Sequence, residues 1–487
     1  MKDTLDTALP AHITGLLVDG AWQDPPGWLD IISPAEGRPY GRIAACGEAE
    51  VDRAVASARA ALDGDWGRMA AAERGRLLAK AGLMVRDRAE DLARLESRDT
   101  GKPIAQGRAD MVACARYFEY YAGAADKVHG HQIPYLPGHY ATTEHVPLGV
   151  TAHIIPWNYP AQMFPRSVGP ALAMGNAVVM KPAEDACATP LALADIMVEA
   201  GFPKGAINMV TGLGPEAGSA LSHHPGIDFI SFIGSNRTGA MVQAAAAKNH
   251  IGCTMELGGK SAQIVFADAD PALTVPTVVG AITQHAGQTC SAGSRLLIER
   301  SAMDTLLPQI VEAFSRVRVV MPWMEGELGP VVNPRQKARV EGYQKLAEDD
   351  GLPLLAQGQL SPELSDTGYF VTPRMYGPVP ADHRLACEEI FGPVLSVIPF
   401  DTEEEAIRIA ESTQYGLVAG IWTRDGARAL RVGRQMKVGQ VFVNCYGAGG
   451  GIELPFGGMK KSGFGREKGW EALYEFSTLR TLVLRHD

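Results

Sequence analysis

The chain has 487 residues, more than one hydrophobic core ordinarily serves, so two or three domains are expected. A composition of 46% hydrophobic and 21% charged residues excludes wholesale disorder, and no apolar run approaches the roughly 20 residues that span a bilayer. With 45 Lys plus Arg against 55 Asp plus Glu the formal charge is -10, and no basic stripe tracks a phosphate backbone, so neither nucleic acid nor a membrane is expected as a partner.

The first residues, Met1 to Asp6, are acidic where a secretory signal needs a basic start and an apolar core, which predicts a cytoplasmic address. Seven cysteines, odd in number and widely scattered, form neither a C-x-x-C pair nor a Cys/His cluster at metal spacing, so reduced thiols and no metal site are expected. From Glu48 to Leu95 apolar residues recur at spacings of three and four, as at Val51, Val55, Ala58 and Leu62, which predicts core-facing helices. Another helical stretch runs from Asp110 to Ala125. The chain then turns rich in Gly, His and Pro from Gly130 to His139 and alternates from Tyr140 to Val146, an expected extended arm.

Short apolar runs follow at Val150 to Ile155, Ala177 to Met180, Ile207 to Val210 and Phe229 to Ile233, separated by helix-like segments. Such alternation predicts an α/β, doubly wound, Rossmann-like parallel sheet, which binds ligands at the carboxyl ends of its strands. Asn158, Lys181 and Gly234 each sit just after one of these runs. A second α/β set spans Ser261 to about Leu430, with strands expected at Leu296 to Ile298 and Val394 to Phe400 and a helix at Glu403 to Glu411. The tail from Thr478 to Leu484 is strand-like and predicted to pair with the 140–146 arm of a neighbouring subunit.

Three segments carry the chemistry. Gly287-Gln288-Thr289-Cys290-Ser291-Ala292-Gly293 sets a cysteine among small and polar residues. A thiol of ordinary pKa, about 8.5, needs an accessible, backbone-rich setting to act as a nucleophile. Met255-Glu256-Leu257-Gly258-Gly259-Lys260 supplies a carboxylate, and Pro156-Trp157-Asn158-Tyr159-Pro160 a side-chain amide. Alone, each has a bland reading: a buried thiol, a strand-end carboxylate, a turn asparagine. Thiol, base and oxyanion donor together are the parts of acyl chemistry through a sulfur intermediate.

With Lys181-Pro182-Ala183-Glu184, Phe232-Ile233-Gly234-Ser235, Glu388-Glu389-Ile390-Phe391-Gly392-Pro393 and Pro455-Phe456-Gly457-Gly458, these motifs resemble the aldehyde dehydrogenase superfamily almost end to end. The resemblance implies oxidation of an aldehyde to a carboxylic acid by NAD, with Cys290 as nucleophile, Asn158 as oxyanion donor and Glu256 activating the hydrolytic water. Members that pass the acyl group to coenzyme A lack that glutamate. The alternative is a catalytically silent member with a structural or binding role.

The cofactor residues implied are Ile154, Pro156, Trp157, Lys181, Glu184, Gly234, Ser235, Leu257, Gly258, Glu389 and Phe391. No G-x-G-x-x-G is present, but a strand running into Gly234-Ser235-Asn236-Arg237-Thr238-Gly239 and a helix from Ala240 to Lys248 makes a phosphate site. Gly259-Lys260-Ser261 is not a P-loop, because Thr254 stands where its first glycine belongs. Glu184, placed at the adenosine ribose, would repel a 2′-phosphate and favours NAD over NADP. Tyr159, Met163, Arg166, Gln284, His285 and Phe456 are the expected substrate channel.

An unpaired charge at Arg166 should either face a substrate carboxylate or be neutralised by a protein carboxylate. An anionic or polar aldehyde is therefore weighed against an aromatic one, for which glycine-rich Tyr446-Gly447-Ala448-Gly449-Gly450-Gly451, one residue longer than the commoner family form, leaves room. The expected division is 1–124 with 148–257 as dinucleotide-binding domain, 258–446 as catalytic domain, 125–147 with 475–487 as an oligomerisation arm and tail, and 447–474 as a returning segment. A homodimer or homotetramer is implied.

Overall fold

The structure is a computed structural model that describes residues 7–447 and 451–487. The acidic residues 1–6 and the middle of the glycine-rich segment, Ala448 to Gly450, lie outside the described residues.

An eight-stranded sheet forms the first layer. Its order is Ala21–Trp22, Leu16–Val18, Ile207–Val210, Ala177–Pro182, Val150–Ile155, Phe229–Ile233, Gly252–Glu256 and Gly463–Phe464. The five strands from Ile207–Val210 to Gly252–Glu256 run parallel, and an antiparallel neighbour closes each side. Helices cover the parallel strands, so these are buried along almost their whole length and mostly apolar. From Val150–Ile155 the chain steps first to Ala177–Pro182, then returns to place Phe229–Ile233 on the other side. The crevice at that reversal is where a doubly wound sheet takes a ligand.

The second sheet, of seven strands, has the order Leu354–Gln357, Arg374–Tyr376, Val394–Phe400, Arg295–Glu299, Ala262–Val265, Val418–Trp422 and Gln440–Val443. All its pairs are parallel except the first. Each large sheet has its own buried core.

The arm His139–Pro147 pairs antiparallel with the tail Ser477–Arg485 over nine positions, from Ser477 opposite Pro147 to Arg485 opposite His139. This corrects the expectation that the tail reaches a neighbouring subunit's arm. Asn176 donates from its Nδ2 to the Phe476 carbonyl (2.8 Å) while its Oδ1 accepts from the Gly149 N–H (2.9 Å), so one buried amide lays the tail beside the arm of its own chain.

The 48–95 stretch resolves into Glu48–Asp63, Asp65–Arg68, Ala71–Asp87 and Ala89–Thr100. The helix expected from Ala240 begins earlier, at Asn236, because the Ser235 hydroxyl caps it by accepting from the Thr238 N–H (3.3 Å). Unforeseen were the N-terminal strands, including the hairpin of Trp28–Ser33 and Arg38–Ala44.

Candidate active site

Cys290 lies on a loop between the helix Pro271–Thr283 and the strand Arg295–Glu299. Three residues before it take left-handed backbone: His285 (φ 47°), Ala286 (φ 52°) and Gly287 (φ 71°). At Gly287 a Cβ would also come within 2.4 Å of the Gly392 backbone, so only glycine fits. Gln288 anchors the loop: its Oε1 accepts from the Val332 N–H (2.9 Å) and its carbonyl from Asn158 Nδ2 (2.9 Å). Asn158 follows the strand Val150–Ile155 and precedes Pro160, the first residue of the helix Pro160–Met174. With one amide hydrogen held by Gln288, the other is fixed before any charge develops.

Glu256 ends the strand Gly252–Glu256 and is 2% exposed. Neither of its oxygens has a hydrogen-bond partner among the described residues. Burial pushes its carboxyl well above the usual range, nearby Glu467 adds to that, and Arg166 opposes it. Burial also pushes the Cys290 thiol up to about 12, with Arg166 pulling it down and Glu256 and Glu389 raising it. The resting thiol therefore holds its proton beside a carboxyl poised to exchange one.

Arg166 is buried, with Nε 2.5 Å from Glu467 Oε2 and Nη2 3.8 Å from Glu256 Oε2. Of the two outcomes expected for this cation, the structure displays neutralisation by a protein carboxylate. Glu467 carries no sequence signal. It reaches the site because its backbone bridges to Phe456, whose ring lies 4.5 Å from the Arg166 guanidinium carbon.

A cavity of about 320 Å³ joins the thiol to the sheet's crevice, lined by Pro156, Trp157, Asn158, Met163, Ile233, Gly234, Ser235, Glu256, Leu257, Gly258, Cys290, Glu389 and Phe391 among others. Of the expected cofactor residues, only Ile154, Lys181 and Glu184 are outside that lining. Ile154 lies in the central strand. Lys181 Nζ pairs with Glu184 Oε2 (3.2 Å), at the end of the neighbouring strand.

The donor set suits a dinucleotide. The helix Asn236–Lys248 points its capped N-terminus at the crevice, ready for a phosphate. Glu389 accepts from the Gly259 N–H (2.9 Å), and a Cβ at Gly258 would come within 2.2 Å of its Oε2, so a larger residue there would push the carboxylate aside. Burial raises the Glu389 carboxyl to about 7. Trp157 meets Phe391 edge to face at 5.3 Å.

A second cavity, about 400 Å³, opens on the other side of the thiol loop and is lined by Gln106, Thr283, Gln284, Thr289, Ser291 and Tyr446 among others. Gln284 thus lies on this side, whereas Met163 lines the first cavity. Phe456 packs with Leu417 and Val418 against Cys290. The Tyr159 hydroxyl bonds the Thr289 hydroxyl (3.0 Å), and its ring meets His285 at 5.4 Å. Both His285 ring nitrogens are buried without a partner among the described residues, and burial drives its pKa well down, so the ring is neutral.

Beneath Tyr159, fully buried Lys102 donates to Glu96 Oε1 (2.8 Å) and Asp110 Oδ2 (2.5 Å), with its Nζ 4.4 Å from the Tyr159 ring centre. Sequence reading missed this cluster. Its lysine lies in the Gly101-Lys102-Pro103 break between two helices, and Asp110 sits in a stretch whose only visible pattern is helical.

A dinucleotide crevice opening onto a loop-borne thiol, with an amide and a carboxyl around it, defines a thiol-dependent oxidoreductase. Residues 22–482 match the model of the aldehyde dehydrogenase family. The chain is 39% identical to retinal dehydrogenase 2 of Homo sapiens over 98% of its own length and 93% of the relative's. It is 38% identical to betaine aldehyde dehydrogenase of Bacillus subtilis, covering 96% of each. Among solved structures, betaine aldehyde dehydrogenase of Staphylococcus aureus in complex with NAD+ superposes with a TM-score of 0.93 at 33% identity, covering 97% of this chain and 94% of that one. The chain belongs to the aldehyde dehydrogenase family.

Proposed function

We propose that Cys290, Asn158 and Glu256 divide the chemistry as nucleophile, oxyanion donor and base. The reaction is the NAD-dependent oxidation of an aldehyde to a carboxylic acid. The observation that carries the assignment is that all three line one cavity, with the Asn158 amide already fixed by the Gln288 carbonyl.

Glu256 takes the Cys290 proton and passes it to solvent as the sulfur bonds to the carbonyl carbon and the carbonyl π pair moves to oxygen, leaving an oxyanion. The free Asn158 N–H and the Cys290 backbone N–H stabilise that oxygen. NAD, when bound, supplies the acceptor for the hydride that leaves the carbon. Collapse of the oxyanion re-forms the C=O bond as that hydride leaves, giving a thioester on Cys290. Glu256 takes a proton from water, the water oxygen bonds to the acyl carbon, and the carbon–sulfur bond breaks to release the acid. A carboxyl raised by burial is a stronger base than an ordinary one. A silent, structural role has no support in a site that keeps all three groups.

Pro156, Trp157, Gly234, Ser235, Leu257, Gly258, Glu389 and Phe391, with Ile154 behind them, hold the nicotinamide and phosphate end, and Lys181 and Glu184 the adenosine ribose. Lys181 draws the Glu184 carboxyl below its usual range against the opposing effect of burial, so it stays charged and would repel a 2′-phosphate. Tyr159, Gln284, His285 and Phe456 border the aldehyde's path, while Arg166, paired with Glu467, acts through Glu256 and the thiol. No three-group His, Cys, Asp or Glu cluster suited to a metal occurs among the described residues, and the chemistry calls for none.

The division into a dinucleotide-binding unit, a catalytic unit and an arm with tail is supported by the eight-stranded sheet, the seven-stranded sheet and the pairing of the arm with the tail. Leu479, Leu482, Val483 and Leu484 stand exposed on the tail strand, a surface suited to a second copy in a dimer or tetramer. Among the described residues no helix is long and apolar enough to cross a membrane, and a cytoplasmic address fits seven free cysteines. The deciding experiment is Cys290→Ala with NAD and an aldehyde panel: NADH formation should vanish while NAD binding persists. Full turnover by that variant would end the proposal.

A further inference from the structure

With Arg166 committed to Glu467, another cation remains beside the thiol. Lys468 is 9% exposed and, among the described residues, makes no hydrogen bond or ion pair. Glu467 and Phe456 exchange backbone hydrogen bonds (2.6 and 2.8 Å) as an antiparallel bridge. The residue after such a pair ordinarily points to the opposite face. Lys468 instead takes φ 63°, and its Nζ lies 5.6 Å from the Phe456 ring centre, over the aromatic that packs against Cys290.

The nearby carboxylates are occupied: Glu467 with Arg166, and Glu453 with Arg116 Nη2 at 2.6 Å. Burial draws the ammonium down to about 7 and Arg166 adds to that, while Cys290, Glu467 and Glu453 oppose them. A buried cation left unpaired on a left-handed backbone is costly, and such cost persists where a ligand repays it.

We infer that Lys468 is a specificity-determining residue, which receives the carboxylate at the far end of an aldehyde whose carbonyl is at Cys290. The substrate class is the short semialdehyde acids. This rests on Cys290 being the nucleophile.

The test compares kcat/KM for succinic, glutaric and adipic semialdehydes with alkanals of equal length, in wild type, Lys468→Met and Lys468→Arg. The wild type should favour at least one acid. Lys468→Met should lose roughly 10- to 100-fold on that acid, chiefly through KM, as expected for one charge-assisted contact, and stay within about two-fold on alkanals. Lys468→Arg should recover part of the loss. Product-like dicarboxylates should inhibit the wild type competitively, a readout that needs no variant. Cys290-dependent oxidation of alkanals with no preference for any acid, or an equal loss on both classes, overturns the inference alone. No NADH from any aldehyde overturns the reading of the site with it.

Discussion

Two buried ionic clusters flank the thiol loop, and they are built differently. Below Tyr159, Lys102 is hydrogen-bonded to both Glu96 and Asp110, and Gln162 Nε2 donates to the second Asp110 oxygen (2.6 Å). Burial opposes the Lys102 charge, yet Asp110 and Glu96 hold its pKa above the ordinary value. Beside Cys290, Arg166 approaches Glu467 and Glu256, but neither contact has hydrogen-bond geometry, and Glu256 is left with two bare oxygens. In the first cluster Lys102 joins both carboxylates by hydrogen bonds, only Glu96 Oε2 lacking a partner among the described residues, and the set ties two helices together. The second has kept more of its polar groups back, and unsatisfied buried groups are where chemistry or a ligand is accommodated.

The comparison breaks most visibly at Lys102. Removing one partner of a hydrogen-bonded buried set strands the others, so Lys102→Met should cost about 3–5 kcal/mol in chemical denaturation. A loss under about 1 kcal/mol would mean that the cluster is not the structural one. Next in size, Asn158→Ala should slow the first half-reaction by roughly 10²- to 10³-fold, measured as the rate of hydride transfer in single turnover, with little change in stability.

Glu256→Gln sharpens the contrast by pulling stability and function apart. A pre-steady-state burst of NADH should survive while steady turnover falls. Because the folded carboxyl is raised above its ordinary 4.5, its charged form opposes folding. The contribution is favourable below that unfolded value and is lost as pH rises toward the folded one, so the glutamine variant should unfold no earlier than wild type at neutral pH. Its relative advantage should disappear below about pH 4.5. Denaturation midpoints across that range decide the matter. The smallest effect is expected at Glu184, where replacement by Ser should narrow the preference for NAD over NADP, chiefly by improving kcat/KM with NADP. Equal use of both by the wild type would remove the charge argument.

The strands at Val150–Ile155, Ile207–Val210, Phe229–Ile233 and Val394–Phe400 were legible end to end, because a parallel strand buried on both faces is predominantly apolar along its length. The helix start at Asn236 was misread for a local reason: the glycines at 234 and 239 suggest a longer turn than the Ser235 cap allows. The N-terminal hairpin escaped because its strands are mostly half exposed and carry no long apolar run. Cys290, Glu256 and Asn158 stood out because each interrupts an apolar pattern at a strand end or within a glycine-flanked loop.

Sequence by itself determined the layered α/β architecture and the family, and pointed to the thiol, amide and carboxyl proposed here as the catalytic trio, since these rest on residue type and local spacing. Only tertiary structure decided what the charges do. Arg166 looked like an anchor for substrate until Glu467, three hundred residues away in the chain, came to neutralise it. Lys468 carried no signal until a left-handed turn laid it over Phe456. A charge acts over a few ångströms through a medium that only packing sets, so its role is fixed by neighbours brought from distant segments and not by its place in the chain.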